Sequence, residues 1–132
     1  MQTTLSPSHQ LARVLGGPDL LALQDLVRAL PVSPHVVKYA TRLTRLPRPG
    51  EPDAPDFIRA NLGCGAGPRA GQFLILGAKA RALLRGSLNV SGDDVRALAP
   101  PILRHRLFTN FTADSEGVTP DDLIKRLLVA VP

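Results

Sequence analysis

Residues 65–86 read GAGPRAGQFLILGAKARALLRG. Gly65 and Gly67 belong to GCGAG (residues 63–67), the most permissive backbone in the chain. Pro68 then suits the first position of a helix, where its missing amide would have no partner anyway. Phe73, Leu76, Ala80 and Leu83 recur at helical spacing and predict one buried face, widened by Leu74, Ile75 and Leu84. Gly86 and Ser87 end the helix after about Arg85. A long helix of this kind buries its stripe most readily against other helices.

The flanks repeat the pattern. Upstream, Gly17-Pro18 starts a first helix carrying Leu20, Leu21, Leu23, Leu26, Val27 and Leu30, and Pro31 stops it. Ser33-Pro34 starts a second, with Val36, Val37, Ala40 and Leu43 as its stripe. Residues 46–56, LPRPGEPDAPD, hold four prolines and a glycine, which predicts an exposed loop. Phe57 to Leu62 predicts one helical turn. Downstream, Ser91-Gly92-Asp93-Asp94 is a capping box with Asp in place of Glu, followed by Val95, Leu98, Ala99 and Ile102. Pro100-Pro101 is expected to kink or restart that helix. Leu103 to Phe111 reads as either a helix end or a short extended segment. Thr119-Pro120-Asp121-Asp122 caps a last helix bearing Leu123, Leu127, Leu128 and Val131. The expectation is an all-α small helical bundle: four main helices plus a C-terminal one.

Composition supports this. A chain of 132 residues fits one domain. Aromatics are only 4%, so the core must be Leu, Val, Ile and Ala, which suits helix packing better than a sheet. Cys64 is the single cysteine, so neither an intrachain disulfide nor a cysteine metal cluster can form. Met1 to Gln10 has no basic segment followed by an apolar run, and the apolar stretch from Phe73 to Leu84 is broken by Lys79 and Arg81. A soluble cytoplasmic protein is expected, with no membrane contact. The net charge is +5, and 13 of the 16 basic residues are arginine. They are scattered rather than clustered, which favours a solvated basic surface over a nucleic-acid interface.

Most reactive side chains have a structural explanation. Asp93, Asp94, Asp121 and Asp122 all sit in first helical turns, where they satisfy free amides and complement the helix dipole. His9, His35 and His105 stand in unrelated segments without ligand spacing. Cys64 suits a tight turn as well as it suits reactivity. G-x-S-x-G is absent. GCGAGPRA lacks the G-x-x-x-x-G-K-[ST] of a phosphate loop, and no apolar strand ends in acidic residues that hold magnesium.

Arg69 is different. It falls at the second position of the helix opened by Pro68, where a cation opposes the dipole by roughly 0.3–1 kcal/mol. It also heads the Phe73–Leu76–Ala80–Leu83 stripe instead of lying on a solvated face. An anion at this helix end would relieve both features, because free amides and a guanidinium fork both favour phosphate. The alternatives are that Arg69 reaches out to solvent or pairs with an acid.

GAGPRA (residues 65–70), followed by an Ala/Leu helix, resembles the sensor-two motif in the lid of AAA+ ATPases, and most closely the MoxR family. VSPHVVKYATRLTRLPRP (residues 32–49) is similar to that family's second lid helix. The stretch from Val90 to Pro132 is similar to its C-terminal portion. The resemblance spans roughly residues 18–132. It implies a lid packed over ATP and magnesium held by a separate α/β core. It assigns Arg69 to sensing the γ-phosphate and Gly65, Ala66, Gly67 and Pro68 to the loop that positions it. It further implies neighbouring subunits in a ring and chaperone-like maturation of client proteins, some bearing von Willebrand factor A domains.

The phosphate loop and metal-binding acids of the family belong to the core and are missing here. The chain alone is therefore expected to be no enzyme and to bind no cofactor tightly. Residues 1–17 read as a tail or core remnant, residues 18–112 as the lid, and residues 113–132 as a C-terminal helix packed on it. A stand-alone helical module that binds protein or nucleic acid is the alternative.

Overall fold

Four side chains open four helices. Ser33, Ser91, Asn110 and Thr119 each accept a hydrogen bond from the amide three residues on. In the computed structural model, which describes residues 12–131, these caps begin four of seven helices. The helices are α1 (Gly17–Ala29), α2 (Pro34–Arg45), α3 (Asp56–Asn61), α4 (Pro68–Leu84), α5 (Gly92–Leu103), α6 (Phe111–Glu116) and α7 (Pro120–Ala130). Two short strands, β1 (Leu62–Cys64) and β2 (Phe108–Thr109), pair antiparallel, with Leu62 opposite Thr109 and Cys64 opposite Phe108. The fold is the mostly helical bundle expected: α3 is the short turn expected at Phe57 to Leu62, and α6 is an additional short helix. Residues 1–11, including His9 and most of the segment read as a tail, lie outside the described residues.

The core is built where α4 meets α5. Ala70, Leu74, Ala78 and Ala82, spaced by four, form the buried face of α4. They pack in one cluster with Val95, Ala99 and Leu103 of α5, Leu43 of α2, and Leu123, Ile124 and Leu127 of α7. Alanines at three of these four positions let two helices approach along their i±4 rows. At Gly77 the approach is close enough that an added Cβ would lie 2.7 Å from Leu98 Cδ1.

This corrects the predicted stripe. Phe73 and Leu76 are 45% and 43% exposed. The Phe73 ring instead lies under the Arg106 guanidinium, 5.3 Å away. α4 is apolar nearly all round, so choosing its face by side-chain size picked the bulky residues, while close packing selected alanines.

Two further expectations change. α5 does not restart at Pro100-Pro101 but runs through both to Leu103. Ala99 and Leu103 are fully buried, and their packing outweighs two missing amide donors. Residues 46–56 are not merely an exposed loop. Pro47 and Ala54 are buried, and successive turns close through Arg48 N to Arg45 O (3.0 Å), Glu51 N to Arg48 O (3.1 Å) and Ala54 N to Glu51 O (3.1 Å). The open question at residues 103–111 resolves both ways, as the end of α5 followed by β2.

Candidate functional site

The start of α4 departs from every other helix. Its N-cap is Gly67, which has no side chain to offer, and its first turn contains no acidic residue. The other described helices each have a side-chain cap or an acid there: Asp19 Oδ2 accepts from Gly16 N at 2.7 Å before α1, and α3 has Asp56. The first amides of α4 are thus left with neither a side-chain acceptor nor a compensating charge. Arg69, at the second position, is exposed, and among the described residues its guanidinium meets no carboxylate. Both features leave room for an external anion.

The loop before Arg69 is held on two sides. β1 ties residues 62–64 to β2, reinforced by Asn110 N to Asn61 O (3.0 Å) and Asn110 Nδ2 to Ala60 O (2.8 Å). Beyond the strand, Gly65 passes against the turn after α2, where an added Cβ would lie 2.1 Å from Pro47 O. Ala66 is buried, and its carbonyl accepts from Arg48 Nε at 2.9 Å. Gly67 has open space around its missing Cβ. The glycine that permits close approach therefore serves the turn at Pro47, and the face of Gly67 is clear. A groove of about 670 Å³ between α2 and α4 adjoins this site. Val37, Ala40, Ile75 and Pro68 line it together with Arg45 and Lys79.

The remaining candidates fall elsewhere. Asp94 is fully buried and accepts from Arg81 Nη1 at 2.6 Å, from Arg85 Nη2 at 2.7 Å, and from the Ser91 amide at 3.0 Å. Burial alone would raise its pKa, but the Ser91 amide and hydroxyl, Arg81 and Arg85 together hold the carboxyl below the usual range. It is a cap, as its position suggested, and also an ion-pair hub between α4 and α5. Asp121 receives Arg104 Nε at 2.9 Å, and Asp122 caps α7 through Thr119. His35, His105 and Cys64 are exposed on separate elements. Among the described residues no cluster of His, Cys, Asp or Glu could hold a metal ion. None of their helices is long and apolar enough to cross a membrane.

Two arginines escaped the sequence reading. Arg48 grips the Ala66 carbonyl, and Arg96 donates to Leu128 O (2.7 Å), Val131 O (3.4 Å) and the Tyr39 hydroxyl (3.0 Å). Neither partner set has a local signal, because the contacts lie 18 to 57 residues away.

The AAA lid domain family matches residues 58–127. Over 125 residues the chain is 33% identical to Chaperone MoxR1 of Mycobacterium tuberculosis, covering 93% of this chain and 33% of that protein. It is 25% identical over 131 residues to the uncharacterized protein YeaC of Bacillus subtilis, covering 99% of this chain and 38% of YeaC. A crystal structure of a candidate ATPase from Cytophaga hutchinsonii superposes with a TM-score of 0.81 at 28% identity, covering 87% of this chain and 35% of that one. The chain spans about a third of the length of these relatives. It belongs to the AAA lid domain family and is a lid region of the MoxR-like AAA+ kind.

Proposed function

We propose that this lid closes over ATP bound by a separate α/β core and senses the γ-phosphate through Arg69. The observation that carries the reading is the start of α4: no capping side chain, no acid in the first turn, and an exposed arginine that meets no carboxylate among the described residues. Phosphate supplies what this end lacks, as an acceptor for amides and as a bidentate partner for a guanidinium. Gly65, Ala66, Gly67 and Pro68 form the loop that presents the arginine. Magnesium arrives with ATP and is held by the core. Residues 18–112 are taken as the lid proper and the segment from 113 onward as its C-terminal portion, whose helix α7 packs on it through Leu123, Ile124 and Leu127.

The intact protein then works as a ring-forming, cytoplasmic ATPase, and the name of the relative Chaperone MoxR1 supports a chaperone-like role. Proteins with von Willebrand factor A domains are the partner class to try first. The chain alone holds nucleotide weakly and turns none over, because one helix end and one arginine supply few contacts. In the assembled ATPase, Arg69→Ala lowers turnover far more than it lowers fold stability. Unchanged turnover removes the reading.

Exposed leucines on α1 favour a second reading, a protein-docking bundle. Leu20, Leu21, Leu23 and Leu26 are each about half exposed or more. Joining the core in cis separates the two readings, because a lid buries this surface against its core. Nucleic-acid binding has less support. Arg28, Arg45, Arg59, Arg81, Arg85 and Arg104 are engaged by carboxylates within the fold.

A further inference from the structure

Among the described residues no side chain hydrogen-bonds or ion-pairs with Arg69 to aim it, so its direction follows the backbone that leads into α4. A side chain at the second helical position points where the phase of the first turn sends it. The usual device that fixes this phase, a capping side chain, is missing at Gly67. The Ala70 amide closes the turn on the Gly67 carbonyl at 3.0 Å, so what remains to be fixed is the path that brings the chain into Gly67.

Arg48 is placed to fix that path. Its Nε donates to the carbonyl of Ala66, three residues before Arg69, at 2.9 Å. Its own guanidinium is steadied from the other side, with Nη1 3.7 Å from Glu51 Oε1. The second oxygen of Glu51 accepts from Arg45 Nη2 at 2.9 Å. The Arg48 side chain is only about one-third exposed, and the neighbouring Pro47 carbonyl abuts Gly65. Arg45, Glu51 and Arg48 thus form a chain of contacts that runs from the end of α2 to the loop before Arg69.

We propose that Arg48 is a positioning residue for Arg69, acting through the Ala66 carbonyl to fix the start of α4. The inference rests on the sensing role of Arg69 given above. It separates two tasks that the glycine loop alone cannot combine. Glycine permits the close path past Pro47, but it adds backbone freedom that would blur the aim of the next side chain. The Arg48 bond removes that freedom. A misplacement of about 1 Å at a catalytic contact costs on the order of 100-fold in rate, so a single distant hydrogen bond can register in turnover.

Two measurements test this. In the chain itself, Arg48→Gln should speed amide exchange at Ala70 about tenfold, with α5 and α7 protected as before. Unchanged exchange at Ala70 overturns the proposal. In the assembled ATPase, Arg48→Gln should lower kcat about tenfold with KM within about twofold, and should add nothing in an Arg69→Ala background. Equal losses in both backgrounds overturn it. If Arg48→Gln fails to fold, Glu51→Gln carries the test, with about a threefold loss expected in kcat; no loss there counts against the proposal. If turnover ignores Arg69→Ala, the sensing role fails instead, and the exchange result still decides whether Arg48 fixes the start of α4.

Discussion

Arg85 donates through Nη2 to both carboxylate oxygens of Asp94, at 2.7 and 2.9 Å. Arg81 adds a third contact at 2.6 Å, so the first turn of α5 is locked to the last turns of α4. The folded Asp94 carboxyl is held below its ordinary pKa against the opposing pull of burial. The unfolded chain therefore takes up the proton first as pH falls. The stability contributed by Asp94 is complete above the unfolded pKa and disappears as pH drops through the folded value. Asp122 adds to the trend, its carboxyl also lowered by the Thr119 hydroxyl and amide. Urea midpoints measured from about pH 7 down to pH 3 should fall steeply at the acid end. Asp94→Asn should be less stable at neutral pH and show a shallower acid decline; a decline as steep as in the parent chain would count against the hub.

Gly65 and Gly67 look alike in sequence and differ in surroundings. An added Cβ at Gly65 would meet backbone atoms of Pro47 and Arg48 at 2.1–2.9 Å, whereas Gly67 has nothing within 4 Å. Gly65→Ala should destabilise the chain by about 2–3 kcal/mol, because backbone cannot swing aside as a side chain can. Gly67→Ala should cost less than about 1 kcal/mol, the scale of a cap change. Thermal unfolding of the two variants checks the order, and equal effects would contradict the close approach at Pro47.

Arg96 joins three elements. Its contacts to Leu128 O, Val131 O and the Tyr39 hydroxyl hold the end of α7 to α5 and α2. Arg96→Ala should destabilise by about 2 kcal/mol, as two carbonyls and a hydroxyl lose a charged donor. Hydrogen exchange should show the loss first in α7. Uniform loosening of all helices would speak against a local clasp.

The sequence made the helices legible because their ends carry chemistry. Ser33, Ser91 and Thr119 announce starts that coincide with the observed caps, and Pro68 marks α4. The interior of α4 was illegible because apolar residues fall on several of its faces, so spacing could not choose between Leu74 and Phe73. The choice was made by α5, whose Leu98 needs Gly77 bare. Arg69 stood out from local rules alone, as a cation at the wrong helix end. Arg48 did not, because it meets Ala66 only after the chain has turned back through α3 and β1.

The role of Arg69 is tested most directly by nucleotide discrimination in the assembled ATPase. The measurement compares the affinity for a non-hydrolysable ATP analogue with that for ADP, in the parent protein and in Arg69→Ala. Sensing of the γ-phosphate predicts that the variant loses about tenfold in affinity for the ATP analogue and almost none for ADP, the scale of one charge-assisted contact. Equal affinities before and after the substitution, or equal losses for both nucleotides, would contradict it.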